Sequence, residues 1–306
     1  MNTTIAKTEE MKTKGEMKQI RSRRILYEVG MAAVLVIVAS FGFWGAYASG
    51  ISTELRILVF VGLPAGFLVA ALVTRLNQRY TKYWEISFIF FAIFGGILVS
   101  ALLSHTMSTV LLQYLGLETS NPYASSATLA VLKFSEVALS VVPALILIGI
   151  AGINLQSVYL KGGDKRRALK YALLPIGIVV LVALTELGVL LTIGLDDLLV
   201  WTPGVIVFSF SNAFMEEFWF RGLLLGKSNE LMSSRASLMW TSIAFGMMHF
   251  ATNYGVGVEH LVFVAITLIL GLAFGYAVLK SDSIWGAVVA HAIGDIFFVF
   301  LVLAAL

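Results

Sequence analysis

Residues 203–226 read PGVIVFSFSNAFMEEFWFRGLLLG. The run is as long and apolar as a membrane-crossing helix, which needs about 20 residues, yet it carries Glu216, Glu217 and Arg221. Its surroundings decide how it folds. Of 306 residues, 59% are hydrophobic and only 13% charged, and mean hydropathy is +0.91. A soluble globule of this size cannot bury so much apolar surface. An ordinary soluble enzyme, a disordered chain and a nucleic-acid binder are therefore excluded. The alternation of a membrane β-barrel is absent, and in lipid only helices otherwise satisfy the backbone. The predicted fold is all-α, a polytopic membrane helix bundle.

Working outward, apolar spans fall at about 29–48, 57–74, 86–112, 137–155, 171–194, 203–226, 236–252, 260–279 and 284–306, which makes nine. Basic residues sort with this count. The arm before the first span and the second, fourth, sixth and eighth connections hold 18 of the 21 Lys and Arg. The other connections hold only Arg56 and Lys133, alongside Glu54, Glu118, Asp196, Asp197 and Glu259. That bias predicts a cytoplasmic N-terminus, most simply in the cell membrane. The basic arm, the first apolar run and Ala46-Tyr47-Ala48 together resemble a cleaved signal peptide. The arm is long and carries Glu9, Glu10, Glu16 and Glu28, so retention as a first membrane helix is the expectation; cleavage would leave eight. Asn2 to Lys18 is polar and expected to be disordered. The chain divides into a basic arm (1–28), N-terminal membrane helices (29–199) and a C-terminal set (200–306). No repeat and no soluble domain is visible. There is no cysteine, hence no disulfide, thiolate metal site or cysteine nucleophile.

Any chemistry must then reside within the membrane, where ionisable groups are expensive and face protein-lined cavities. The candidates are His105, Glu186, Glu216, Glu217, Arg221, His249, His291 and Asp295, six of them in the last 100 residues. Glu217 and Arg221 are four apart and can pair on one helix face, whereas Glu216 is rotated about 100° from them. Phe245 and His249 are also four apart, as are His291 and Asp295. Each cluster alone has a plain structural explanation: an ion pair, a packed histidine, a His–Asp bond that locks two helices. Depth joins them. Counted from the basic ends of their spans, Glu216 lies ~15 Å in, His249 ~20 Å, and His291 and Asp295 ~11 and ~17 Å. Unrelated structural residues need not share one slab; a joint site must.

A glutamate and two histidines form a hydrolytic set. A carboxylate in an apolar cavity can take and return a proton, His249 can hold and polarise a water, and His291 can donate to a developing oxyanion. Alternatively Glu216, His249 and His291 could bind zinc with an open position, although the H-E-x-x-H signature is missing. His105, among Ser104, Thr106, Ser108 and Thr109, fits a polar packing seam, and Gly271 with Gly275 fits a helix contact.

Glu-Glu-x-x-x-Arg (216–221), Phe-x-x-x-His (245–249) and His-x-x-x-Asp (291–295), in that order, resemble the three motifs of the CPBP family, the CAAX proteases and bacteriocin-processing enzymes, also called Abi. The family includes the Ras-converting type II CAAX endopeptidase. The resemblance covers about 200–306 and implies an intramembrane endopeptidase. It makes Glu216 the water-activating carboxylate and His249 its partner. It gives Glu217, Arg221 and Phe245 supporting roles, and puts His291 and Asp295 at the oxyanion. The family's third motif commonly ends in Asn. Asp295 donates only when protonated, and otherwise orients His291. The expected partners are a membrane-associated protein or peptide, whether prenylated, a bacteriocin leader or a signalling peptide, and the bilayer; no nucleic acid is expected. No cofactor is required, with zinc the alternative. Two other functions compete: a non-proteolytic scaffold or bacteriocin-immunity protein of the same fold, and a proton-coupled transporter. The transporter lacks inverted repeats and paired broken helices.

Overall fold

A computed structural model describes residues 2–48, 50–118, 121, 123–250 and 257–305, with side chains for Met17 and from Gln19 onward. Among these residues there are helices and no strands. In chain order they are α1 (Asn2–Tyr47), then α2 (Thr53–Ile57) continuing through a π turn (Leu58–Gly62) into α3 (Leu63–Leu76), then α4 (Trp84–Tyr114) and α5 (Ser126–Ala151). α6 (Lys165–Thr185) and the short α7 (Leu187–Leu190) follow. α8 (Leu195–Glu217) runs through a second π turn (Phe218–Leu224) into α9 (Leu225–Ser228), and α10 (Ser234–Phe250), α11 (Val258–Ser281) and α12 (Trp285–Ala304) complete the bundle.

Eight helical segments among the described residues are long and apolar enough to cross a membrane. The chain is a multi-pass integral membrane protein. The ninth expected span is the 17-residue α10. It lies between α1 and α11, and its Trp240, Thr241, Ser242 and Phe245 are buried. A helix sheltered by protein tolerates more polar residues and needs less length than one facing lipid.

Other boundaries move for local reasons. The stretch Asn2 to Lys18, expected to be disordered, is helical in the structure. Its Ala, Met, Lys and Glu are good helix formers, and the apolar segment behind it supplies the nucleus that a free peptide lacks. α5 starts at Ser126 rather than 137, because Ser125 caps it by accepting from Thr128 N at 3.1 Å. Lys133 thus sits within a helix, not in a connection, and is paired with Glu136 at 2.8 Å. α8 begins at Leu195 with Asp196 and Asp197 in its first turn, where acids are favoured. Helix α6 stops at Thr185, so the expected span 171–194 breaks there, between the weak helix formers Thr185 and Gly188, and resumes as the short α7. His105 is exposed on α4 rather than packed in a seam; of its polar neighbours only Ser108 is buried.

The helices pack as a ring: α3 on α4, α4 on α5, α5 on α8, α8 on α12, α12 on α6, α6 on α11, α11 on α10 and α10 on α1. The second π turn and α9 run inside it, touching α4, α10 and α11. Every residue from Met215 to Ser228 is buried. That is why its apolar residues, Phe218 to Phe220 and Leu223 to Leu225, are consecutive rather than confined to one face. Phe43 of α1, Phe94 of α4, and Trp219 and Phe220 of the π turn form the aromatic centre, with Phe43–Phe220 centroids 4.9 Å apart. Two glycines let backbones meet. A Cβ on Gly96 would strike the Ser140 carbonyl between α4 and α5, and one on Gly204 would strike the Ser126 carbonyl between α8 and α5.

The connections rich in basic residues gather at one end of the bundle. Glu28 accepts from Ser233 N and Oγ at 3.1 and 2.7 Å. Tyr27 and Tyr83 hydroxyls meet at 3.2 Å, the buried Lys227 pairs with Glu85, Asn229 donates to Tyr159 at 2.8 Å, and Lys161 pairs with Asp282 at 2.6 Å.

Candidate active site

Glu216 and Glu217 are the last residues of α8, immediately before the π turn. Such turns recur at functional sites because the extra residue re-aims the helix. Both carboxylates are buried. Glu217 Oε1 accepts from Arg221 at 2.9 Å and from His291 Nδ1 at 2.8 Å. Arg221 also donates to the Gly271 carbonyl at 3.3 Å, and its guanidinium lies 4.1 Å from the Phe245 ring centroid and 5.3 Å from that of Phe274. Phe274 in turn stacks on His291, centroids 4.9 Å apart and planes at 12°. One buried ion pair thus reaches from the first motif to the third. The pair is flanked by the Phe of the second motif and by an aromatic residue of α11 that the sequence reading missed.

Two tautomers follow from these contacts. His249 Nδ1 is 2.9 Å from the Phe245 carbonyl, which can only accept. The proton is therefore on Nδ1, and Nε2 of the neutral ring carries its lone pair. His291 Nδ1 faces a carboxylate oxygen that already accepts from Arg221, so it too carries a proton.

Glu216 Oε2 is the centre on which the other groups converge. It is 3.8 Å from His249 Nε2 and 3.7 Å from His291 Nε2, and it is buried without a hydrogen-bond partner. Its other oxygen, Oε1, accepts from Asn212 Nδ2 at 3.2 Å. The same amide donates to Asp295 Oδ2 at 3.0 Å, and Asp295 Oδ1 stands 3.5 Å from His291 Nε2. The structure therefore brings Glu216, Glu217, Arg221, Phe245, His249, His291 and Asp295 together from α8, its π turn, α10 and α12. It adds Asn212, whose amide had one sequence signal: it stands four residues before Glu216, on the same helix face, in an apolar run.

A zinc ion would need three donors grouped around one point. Among the described residues, no three His, Asp or Glu side chains are grouped so as to hold one metal ion. Bonds of about 2.0–2.1 Å in a tetrahedron need donor atoms about 3.4 Å apart, whereas Glu216 Oε2 stands 3.7 and 3.8 Å from the two imidazole nitrogens. A cavity of about 480 Å³ lies elsewhere, lined by Tyr123, Asp197, Trp201 and Phe300 among others, and no motif residue reaches it.

Residues 198–297 match the family model described as type II CAAX prenyl endopeptidase Rce1-like. No curated protein and no solved structure matches the chain. The matched stretch runs from α8 into α12 and contains all three motifs. Within this multi-pass membrane protein, residues 198–297 therefore form a stretch similar to the Rce1-like type II CAAX prenyl endopeptidases.

Proposed function

We propose that the chain is an intramembrane endopeptidase in which Glu216 activates a water for attack on a peptide bond, without a metal ion. The carrying observation is the buried, unpartnered Glu216 Oε2 facing two imidazole nitrogens at 3.7 and 3.8 Å. Those separations are too long for direct hydrogen bonds and suited to a bridging water. A water beside Glu216 Oε2 and the lone pair on His249 Nε2 donates to both.

One water proton passes to Glu216 Oε2 as the oxygen bonds to the scissile carbonyl carbon. The carbonyl oxygen becomes the oxyanion. His291 stands between Glu217 on Nδ1 and Asp295 near Nε2, so both its nitrogens face acceptors. The doubly protonated ring donates from Nε2 to the oxyanion. Collapse breaks the C–N bond, and Glu216 returns its proton to the leaving amine. Asp295, an acceptor from Asn212, orients His291 and does not donate.

By the family's description, the substrate is a membrane-associated protein with a prenylated CAAX-type C-terminus. The basic end of the bundle faces the cytoplasm, with the N-terminus inside and the cell membrane as the site of residence.

The purified protein in liposomes, given a farnesylated CAAX-type peptide, tests this. Glu216→Ala and His249→Ala are expected to lose at least about 10³-fold in cleavage, given that a general base alone contributes up to about 10⁴, while remaining monodisperse. Full cleavage by either variant refutes the mechanism. Comparing peptide termini in cells expressing wild type or Glu216→Ala would identify natural substrates.

A further inference from the structure

We propose that Asn212 is a positioning residue of the hydrolytic reaction, and that Lys133 on α5 sets the direction of its amide. The inference rests on the reading of Glu216 as the base. Lys133 Nζ lies 3.1 Å from Asn212 Oδ1 and 2.8 Å from Glu136 Oε2. An ammonium only donates, so the atom facing it is the amide oxygen. The usual ambiguity between the two ends of an asparagine side chain does not arise. The NH₂ then has one direction, toward the carboxylates, and its two protons have two acceptors, Glu216 Oε1 at 3.2 Å and Asp295 Oδ2 at 3.0 Å.

Three consequences for the reaction follow. Glu216 has one oxygen tied off, so Oε2 is the one presented to His249 and His291. Glu216 and Asp295, which would otherwise repel, share one donor group. And α5, outside the family-matched region, is fastened to α8 and α12 at the depth of the base. Lys133 brings a positive charge to this network, balanced by Glu136, so the amide is oriented without leaving an unpaired ion beside the site. A residue that only filled space here would affect folding and not turnover. A residue that aims the base affects turnover most, since misplacing a catalytic group by about 1 Å costs up to about 10²-fold in rate.

The full-length protein in liposomes, with a farnesylated CAAX-type peptide, supplies the test. Glu216→Gln is measured first; a wild type inactive on this peptide, or an active Glu216→Gln, sinks the hydrolytic reading and this proposal with it. With that settled, Asn212→Leu is expected to lower kcat about 10–100-fold and to leave KM within about twofold. An unchanged kcat in Asn212→Leu beside an inactive Glu216→Gln overturns the proposal alone, as does a loss confined to KM. If Asn212→Leu does not fold, Lys133→Met decides. Its kcat falls at least about fivefold and Lys133→Arg restores it if the amide needs orienting. A Lys133→Met enzyme with wild-type kcat refutes the role.

Discussion

At the scale of single residues, the buried ion pair carries the most structural weight. Arg221 and Glu217 are almost fully buried and bonded at 2.9 Å, and Glu217 also holds His291. Removing one partner of such a pair strands a charge, at a cost of about 3–5 kcal/mol. Arg221→Met is expected to destabilise the protein by about that amount, read as a lowered unfolding temperature in detergent, and to reduce cleavage because the acceptor for His291 Nδ1 is no longer fixed. Retained stability would mean that the buried pair contributes no net stabilisation. Losing the His291 donor is a different case: His291→Ala is expected to cost about 10²–10³ in kcat, the usual worth of one oxyanion donor, with KM little changed. A His291→Ala enzyme with full kcat would remove His291 from the oxyanion.

At the scale of elements, the site depends on how closely α5 approaches α8. Pro203 interrupts the hydrogen-bond ladder of α8. Ser126 fills the break, accepting from Gly204 N at 2.7 Å and donating to the Trp201 carbonyl at 3.0 Å. The absent side chain of Gly204 makes room for it. Gly204→Val would push the helices apart, and overpacking of this kind costs about 1–3 kcal/mol. Thermal unfolding of that variant measures the loss. A wild-type transition would show that the contact relaxes freely. The π turn after Glu217 acts similarly on direction. It starts at Phe218 and lies deep in the ring, so its buried aromatic residues hold the end of α8 where the two carboxylates leave it.

At the scale of the whole molecule, the basic connections meet at one end through Glu28–Ser233, Lys227–Glu85 and Lys161–Asp282. The chain lacks cysteine, so single introduced thiols report sidedness without background. In intact cells, a membrane-impermeant maleimide is expected to label Leu195→Cys and to spare Gly162→Cys. Inverted vesicles should reverse the pattern, and the opposite result in both preparations would invert the proposed topology.

Composition, span length and the sorting of Lys and Arg were enough to determine a polytopic helical bundle, since lipid leaves few ways to satisfy a backbone. Spacings of four were enough to mark Glu217–Arg221, Phe245–His249 and His291–Asp295 as same-face pairs, because one helix fixes those neighbours locally. Depth counted along each span placed the clusters in one slab. Where a residue's partner lies on another helix, the sequence carried no such signal. That Glu217 serves His291 as well as Arg221, that Asn212 joins Glu216 to Asp295, and that Lys133 belongs to this network rather than to a connection depend on rotations and packing distances between helices far apart in the chain. Those are set by shape complementarity over whole helix faces, and no short stretch of sequence encodes it.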